Sequence, residues 1–215
     1  MNKLFRLDSP FMLALSRLAD LVLLSVLWVV CCLPIITIGP STAALYYVAL
    51  KLARGEEVRI TGTFFRGFKE NFKQGVVMNL IFLVLGAVLL ADYIIMAMAE
   101  GTFASVSGVC FFVMGVWLLC IIFYAYPLQA QFYNTVRQTL INAAQLCVRK
   151  FPTTVVVFVL NMFPVILAFV SFGLFVRMAP VWLLLMPGLS ACLCAKLFVK
   201  IFDPFLKAAE EDKNK

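Results

Sequence analysis

The stretch LPIITIGPSTAALYY, which runs from Leu33 to Tyr47, decides how this chain is arranged. Pro34, Gly39 and Pro40 interrupt an apolar run that otherwise extends from residue 21 to residue 53. Proline removes a backbone donor and restrains the residue before it, so the pattern predicts a tight turn between two helices. In the alternative, the stretch is the tail of one apolar helix, and every later loop then lies on the opposite side of the membrane.

Composition identifies the broad class of protein. Of the 215 residues, 64% are hydrophobic and 13% are charged, whereas soluble domains are about 45–50% apolar and about 25% charged. The charges cluster and leave apolar blocks of about 20 residues, the length that crosses a hydrocarbon core of about 30 Å. Lipid offers the backbone no hydrogen-bond partner, so these blocks must be helical. The sequence predicts an all-α polytopic transmembrane bundle, one integral membrane domain over residues 1–215.

Six apolar blocks are predicted to be membrane helices, at about residues 18–33, 35–53, 76–99, 105–126, 153–176 and 181–202. Lysine and arginine concentrate in cytoplasmic loops. If all six blocks cross, seventeen of the eighteen basic residues lie on one side, against fourteen if residues 35–53 do not cross. This favours a multi-pass protein of the plasma membrane with six helices and both termini cytoplasmic. Five helices with residues 35–53 as a re-entrant or interfacial segment are the alternative.

Two amphipathic helices are predicted in cytoplasmic loops, at about residues 63–75 and 129–151. The first reads TFFRGFKENFKQG, with phenylalanines at helical spacing among basic residues. Such a helix lies on a bilayer with an anionic inner leaflet or docks a partner protein. The net charge of +7 follows from the topology, so no nucleic-acid partner is expected. The residues predicted to contact the partner or the lipid are Phe64, Phe65, Arg66, Phe68, Lys69, Phe72 and Lys73.

Three polar residues inside the apolar blocks form a candidate intramembrane site. Asp92 lies well inside its block with no cation beside it, Asn161 lies near the middle of its block, and Asn79 lies near a block's inner end. Ionisable groups at membrane depth are costly in free energy and are therefore site candidates. The two asparagines also suit hydrogen bonds between helices.

Neither a catalytic residue nor a metal or cofactor site is predicted. The chain contains no histidine, no G-x-S-x-G motif and no phosphate-binding loop. Its seven cysteines lie in or beside apolar blocks and give neither a disulfide framework nor metal-ligand spacing. The sequence therefore predicts a protein that is not an enzyme.

Three segments carry a resemblance to a known family: the arm with Phe5, Leu7, Ser9 and Pro10, then LPIITIGPSTAALYYV (Leu33–Val48) and FFRGFKENFKQG (Phe64–Gly75). Through them the chain resembles the YesL-like family, bacterial membrane proteins defined as a domain of unknown function. The resemblance implies no catalytic or binding residue. Because family members are associated with carbohydrate-utilisation systems, it implies an accessory or scaffolding subunit that acts with a transporter permease or a sensor kinase.

A small membrane transporter in its own right is the alternative function. Asp92 and Asn161 would then lie in the pathway, and a homodimer is the expected assembly. On this hypothesis, Asp92→Asn abolishes uptake without lowering expression.

Overall fold

Helices make up nearly all of the structure. The computed structural model describes residues 10–98 and 102–213, and the predictions that concern residues 1–9, 99–101, 214 and 215 lie outside these ranges. No strand occurs within the described ranges, so the predicted all-α fold is confirmed. The helices there are α1 (Pro10–Cys32), α2 (Ile38–Ala53), α3 (Ile60–Met98), α4 (Thr102–Gln131), α5 (Val136–Arg149), α6 (Phe151–Val170) and α7 (Phe172–Lys213), with a short 3-10 helix at Ile35–Thr37.

The bundle has the helix lengths of a membrane protein. Five segments are long and apolar enough to cross a membrane on their own. A sixth is counted when α5 and α6, which are bent by 104° relative to each other, are taken together. Five to six candidate membrane helices agree with the predicted polytopic fold. The five segments that are long and apolar enough on their own are Leu15–Cys32, Ile35–Ala53, Ile60–Met98, Val106–Gln131 and Phe175–Leu206.

The two predicted amphipathic helices are not separate elements with the predicted bounds. Residues 63–75 are the first part of α3, which continues without a break into the apolar segment. No proline interrupts α3, and Gly75 packs against α2 instead of ending the helix. Residues 129–151 are divided, because the end of α4 is followed by a loop and Thr135 then starts α5 with a capping box to Gln138.

The predicted turn between residues 176 and 181 is misplaced. The chain reverses at Ser171, whose backbone is extended (φ −153°, ψ 90°), and α7 begins at the next residue. The helix predicted at 153–176 therefore ends at Val170, and residues 181–202 are the middle of the 42-residue α7. Three prolines lie inside α7. Membrane helices tolerate proline because neighbouring groups satisfy the freed carbonyls.

The stretch quoted at the outset makes the turn between α1 and α2. The Thr37 hydroxyl donates hydrogen bonds to the carbonyls of Cys31 (2.7 Å) and Pro34 (2.8 Å), and α2 starts at the next residue. Gly39 and Pro40 thus lie in the first turn of α2, where a backbone N–H has no helical partner and proline is tolerated. We call Leu33–Thr37 the hairpin tip.

Backbone contact joins α2 to α3. A Cβ atom on Gly75 would lie 2.7 Å from the nitrogen of Pro40, and one on Gly39 would collide with the carbonyl oxygen of Gly75. Further along, a Cβ on Gly67 would lie 2.8 Å from the ring of Tyr47. The Asn79 side chain donates to the carbonyl of Ile35 at 2.8 Å. These pairs place α2 antiparallel to the first half of α3.

The hairpin tip therefore lies beside Asn79, far from the end of α3. From Asn79 to Met98, α3 extends about 28 Å past the tip at 1.5 Å per residue. α4 runs antiparallel beside it over the same length, because Phe112 contacts Tyr93 and Gln129 donates to the Asn71 carbonyl at 3.1 Å. The α1–α2 hairpin meets the apolar half of α3 at Asn79, and α3 continues past that level.

The core occupies one half of the bundle. Tyr124 and Phe198 are fully buried and contact each other at 5.2 Å between ring centroids, and Tyr46 packs on Phe198. We call this half the basic end; it is the half in which Arg54, the residue after α2, pairs with Asp203 of α7 at 3.4 Å. Beyond the hairpin tip, the α3–α4 pair and the α6–α7 pair stand apart, and across the gap only α4 and α6 make more than marginal contact among the described residues.

The position of α2 on α3 bears on which segments cross the membrane. Arg66, Lys69 and Lys73 are exposed on α3 at the level of α2. α2 and the apolar part of α3 together take up the whole 39-residue length of α3, about 58 Å. A hydrocarbon core of about 30 Å cannot cover both. This packing suits an arrangement that differs from both predicted topologies, in which α1 and α2 enter and leave the bilayer on the same side and the hairpin tip lies inside it.

Replacement of Gly75 by alanine tests the backbone contact. We expect Gly75→Ala to destabilise the protein by about 1–3 kcal/mol, because overpacking forces α2 and α3 apart. Thermal unfolding in detergent measures this change. Gly86→Ala on the same helix is the matched control, because nothing lies within 4 Å of its added Cβ. Equal melting temperatures for the two variants would show that the contact is not a constraint.

Cysteine labelling tests the depth of the hairpin tip. In a variant without native cysteines, Ile36→Cys is compared with Met98→Cys, since both side chains are exposed in the isolated chain (54% and 81%). A membrane-impermeant maleimide is applied to each side of the bilayer in turn. We expect Met98→Cys to react from one side and Ile36→Cys to resist from that side, because lipid covers it. Equal labelling of both from that side would support six crossing helices.

Candidate functional site

A cavity of about 590 Å³ lies between the α3–α4 pair and the α6–α7 pair, and residues of α1 and α2 form part of its wall. We call it the central cavity. Its volume falls in the range of about 300–1,000 Å³ that small-molecule sites occupy. Every helix except α5 contributes to its wall, with Trp28, Ile38, Thr42, Leu45, Tyr46, Asn79, Phe82, Leu83, Ile122, Phe123, Tyr126, Leu160, Asn161, Pro164, Phe175, Trp182, Leu183, Met186, Pro187, Ser190 and Ala191.

The wall of the central cavity is mostly apolar and carries no charged side chain. Several of its polar groups already bond within the protein. The Trp28 indole N–H donates to the Thr42 hydroxyl at 3.2 Å, and the Tyr126 hydroxyl donates to Asn79 Oδ1 at 3.5 Å. The cavity therefore suits an uncharged and largely apolar molecule, because charge in such a place loses its hydration without compensation.

The structure divides the predicted intramembrane site. Asn79 and Asn161 both line the central cavity, whereas Asp92 does not. Asp92 lies thirteen residues beyond Asn79 on α3, which places it about 140° around the helix at 3.6 residues per turn. It is partly exposed and has no hydrogen bond or ion pair to the residues that the structure describes. A pathway that contains both Asp92 and Asn161 is not assembled in this structure.

Asn161 links three helices beside the central cavity. Its Nδ2 group donates to the Val157 carbonyl at 2.8 Å and to Cys194 Sγ at 3.5 Å. The first bond lies within α6, and the second joins α6 to α7. Asn161 also interacts with the side chain of Tyr46, which joins α2 to the same cluster.

The predicted contact helix presents fewer aromatic residues than the sequence suggests. Phe64 is fully buried and Phe68 is partly buried against the core, while Phe65 and Phe72 are 53% and 41% exposed. The cause is Gly67, which brings its side of α3 against Tyr47 and takes Phe64 into the core with it. We call the remaining exposed residues the α3 face; they are Phe65, Arg66, Lys69, Phe72 and Lys73.

The sequence did not predict the hydrogen bonds that Arg54 makes at the basic end. Arg54 donates to Gln131 at 2.9 Å and to Asp203 at 3.4 Å, which ties α2 to α4 and α7. Arg54 and Gln131 also line a second, polar pocket of about 250 Å³. Partners so far apart along the chain cannot be paired from local spacing.

Asn79 is predicted to matter for stability and Asp92 is not. Asn79→Leu leaves the Ile35 carbonyl at the hairpin tip without its donor, which we expect to cost about 1–2 kcal/mol. Asp92→Asn serves as the control, because it changes a polar residue of the same helix that makes no described bond. Thermal unfolding of both variants in detergent checks the difference. A similar loss of stability in Asp92→Asn would contradict the assignment.

Comparison with known proteins gives a family and no activity. No curated protein and no solved structure matches the chain significantly. Residues 21–93, which hold about half of α1, the hairpin tip, α2 and most of α3, match the family described as "Protein of unknown function, DUF624". This family is the YesL-like family of membrane proteins, so the resemblance inferred from the sequence is confirmed over residues 21–93, about a third of the chain.

Proposed function

We propose that this protein is an accessory or scaffolding subunit that acts with a carbohydrate transporter or sensor in the plasma membrane, with both termini cytoplasmic. The apolar wall of the central cavity carries this proposal. Each sugar hydroxyl that leaves water without a new partner costs about 1–3 kcal/mol, and this wall offers few polar groups. The chain is therefore poorly suited to carry a sugar itself, and the carbohydrate association falls to a partner.

The α3 face is the proposed contact for that partner. It combines two exposed phenylalanines with three cations, and Arg66 pairs with Glu70 at 2.9 Å while Lys69 and Lys73 have no ion pair among the described residues. Aromatic residues and arginine are enriched where proteins bind each other. The charge complements an acidic surface on a permease or a sensor kinase. The same charge also suits an anionic inner leaflet.

Site-specific photocrosslinking distinguishes a protein partner from lipid. A benzophenone amino acid replaces Phe65 or Phe72 in the full chain, in native membranes, and Val84 on the same helix is the control because it is 62% exposed and outside the α3 face. We expect positions 65 and 72, but not 84, to give adducts that mass spectrometry identifies as a permease or kinase. The charge reversals Lys69→Glu and Lys73→Glu should reduce the adduct yield several-fold. Adducts with lipid alone would contradict a partner at this face.

A transporter in its own right is the second candidate, because Asn79 and Asn161 both line the central cavity. Proteoliposomes that contain the chain alone test it with radiolabelled sugars. Uptake that Asn161→Leu abolishes and Asp92→Asn preserves would overturn the accessory proposal. A homodimer is the assembly proposed for this case. For neither candidate do we propose enzymatic activity.

A further inference from the structure

We propose that a groove between α5 and α7 at the basic end binds the head of an anionic phospholipid that carries hydroxyl groups, of the phosphatidylglycerol class. We call it the α5 groove; Asn142, Gln145 and Arg149 of α5 line it together with Phe205 of α7. The chemistry that it recognises is the phosphodiester of a polyol. The site is separate from the central cavity and from the α3 face, and it does not rest on a partner protein.

α5 is oriented to lie along the bilayer surface. It is bent by 104° relative to α6, the apolar helix that follows it. Ile141 and Val148, about two turns apart on one side of α5, are 45% and 63% exposed, and Phe151 at the start of α6 is 66% exposed. A helix with an apolar stripe and basic residues lies in the interface of an anionic leaflet. The charged residues of α5 and of its link to α6 are all basic: Arg137, Arg149 and Lys150.

The α5 groove opens at the level of the lipid heads. Asn142 directly follows Ile141 and Arg149 directly follows Val148, so each lies about 100° around α5 from the apolar stripe. Gln145 lies between them at helical spacing and shares their side of the helix. When the stripe contacts acyl chains, this side faces the heads of the neighbouring lipids. The volume there is about 240 Å³.

The lining of the α5 groove suits a polyol phosphate. Among the described residues that line it, Arg149 carries the one charge, and no carboxylate opposes it. Asn142, Gln145 and Arg149 are at least partly exposed, and their side chains make no hydrogen bond or ion pair to the residues that the structure describes. A guanidinium binds phosphate through paired N–H donors. An amide both donates and accepts, so it suits hydroxyl groups.

A lipid is the source that the surroundings favour. The groove has the volume of about eight water molecules at about 30 Å³ each, which admits a glycerol head and excludes an oligosaccharide. A free polyol phosphate has the same polar groups, but a lipid adds acyl chains. Val148 and Phe151 lie beside Arg149 in the chain, and Phe205 is 54% exposed on the opposite wall. These apolar surfaces are next to the site of the phosphate.

Lipid titration followed by native mass spectrometry tests the proposal on the full chain in detergent. Dioleoylphosphatidylglycerol is compared with dioleoylphosphatidylethanol, which has the same charge and chains but no hydroxyl group in its head. Arg149→Gln removes the ligand of the phosphate, and Asn142→Leu with Gln145→Leu removes the ligands of the hydroxyl groups. Arg137→Gln is the matched control, because Arg137 is exposed on the same helix and does not line the groove.

We expect one phosphatidylglycerol to bind about tenfold more tightly than phosphatidylethanol, because only its hydroxyl groups meet the amides. Arg149→Gln should weaken the binding of both lipids about tenfold, because each loses a charge-assisted hydrogen bond. Arg137→Gln should change neither affinity by more than about twofold. Asn142→Leu with Gln145→Leu should remove the preference for phosphatidylglycerol. Melting temperatures of the variants show that they are folded.

Three outcomes would overturn the proposal. The first is equal affinity for the two lipids, which means that the protein reads charge alone. The second is an equal effect of Arg149→Gln and Arg137→Gln, which means that the α5 groove is not the site. The third is displacement of the lipid by water-soluble glycerophosphoglycerol at concentrations as low as those of the lipid, which assigns the site to a free polyol phosphate instead of a lipid.

Discussion

The backbone contact between Gly39 and Gly75 fixes the arrangement of the rest of the structure. Since neither position has room for a Cβ, α2 and α3 meet backbone to backbone there. Asn79 then binds the Ile35 carbonyl and holds the hairpin tip at one level on α3. The two segments that carry the family resemblance and lie within the described residues, Leu33–Val48 and Phe64–Gly75, are the two sides of this contact. Their joint presence in the sequence therefore has a physical reason.

Charge counting could not reveal this arrangement. The count separates six crossing helices from five, because removing one helix moves every later loop to the other side. If α1 and α2 enter and leave the bilayer on the same side, every later loop stays on the side where six crossing helices would put it. Seventeen basic residues then again lie on one side of the membrane. What distinguishes the two cases is the position of α2 beside Gly75, which is a contact between distant residues. Hydropathy and charge contain no information about it.

Local pattern predicted the helical class and the apolar segments well, because a bilayer imposes both through length and composition. It failed where a tertiary contact decides. The helical spacing of Phe64, Phe65, Phe68 and Phe72 predicted one aromatic face, yet the packing of Gly67 on Tyr47 buries Phe64 and leaves Phe65 outside. Ser171, as the point of chain reversal, carries no proline signal, while the prolines of α7 lie within the helix. The charge of Asp92 made it prominent, although its position around α3 takes it away from the cavity.

The central cavity follows from the same constraint as the hairpin. A pair of helices that ran the full length of α3 would fill the gap between the α3–α4 and α6–α7 pairs with side chains. Because the hairpin tip ends beside Asn79, about 28 Å of α3 continues without it. Protein interiors do not leave such a volume empty, and here the surrounding solvent is hydrocarbon. Apolar groups of the bilayer are therefore the natural neighbours of these helix faces.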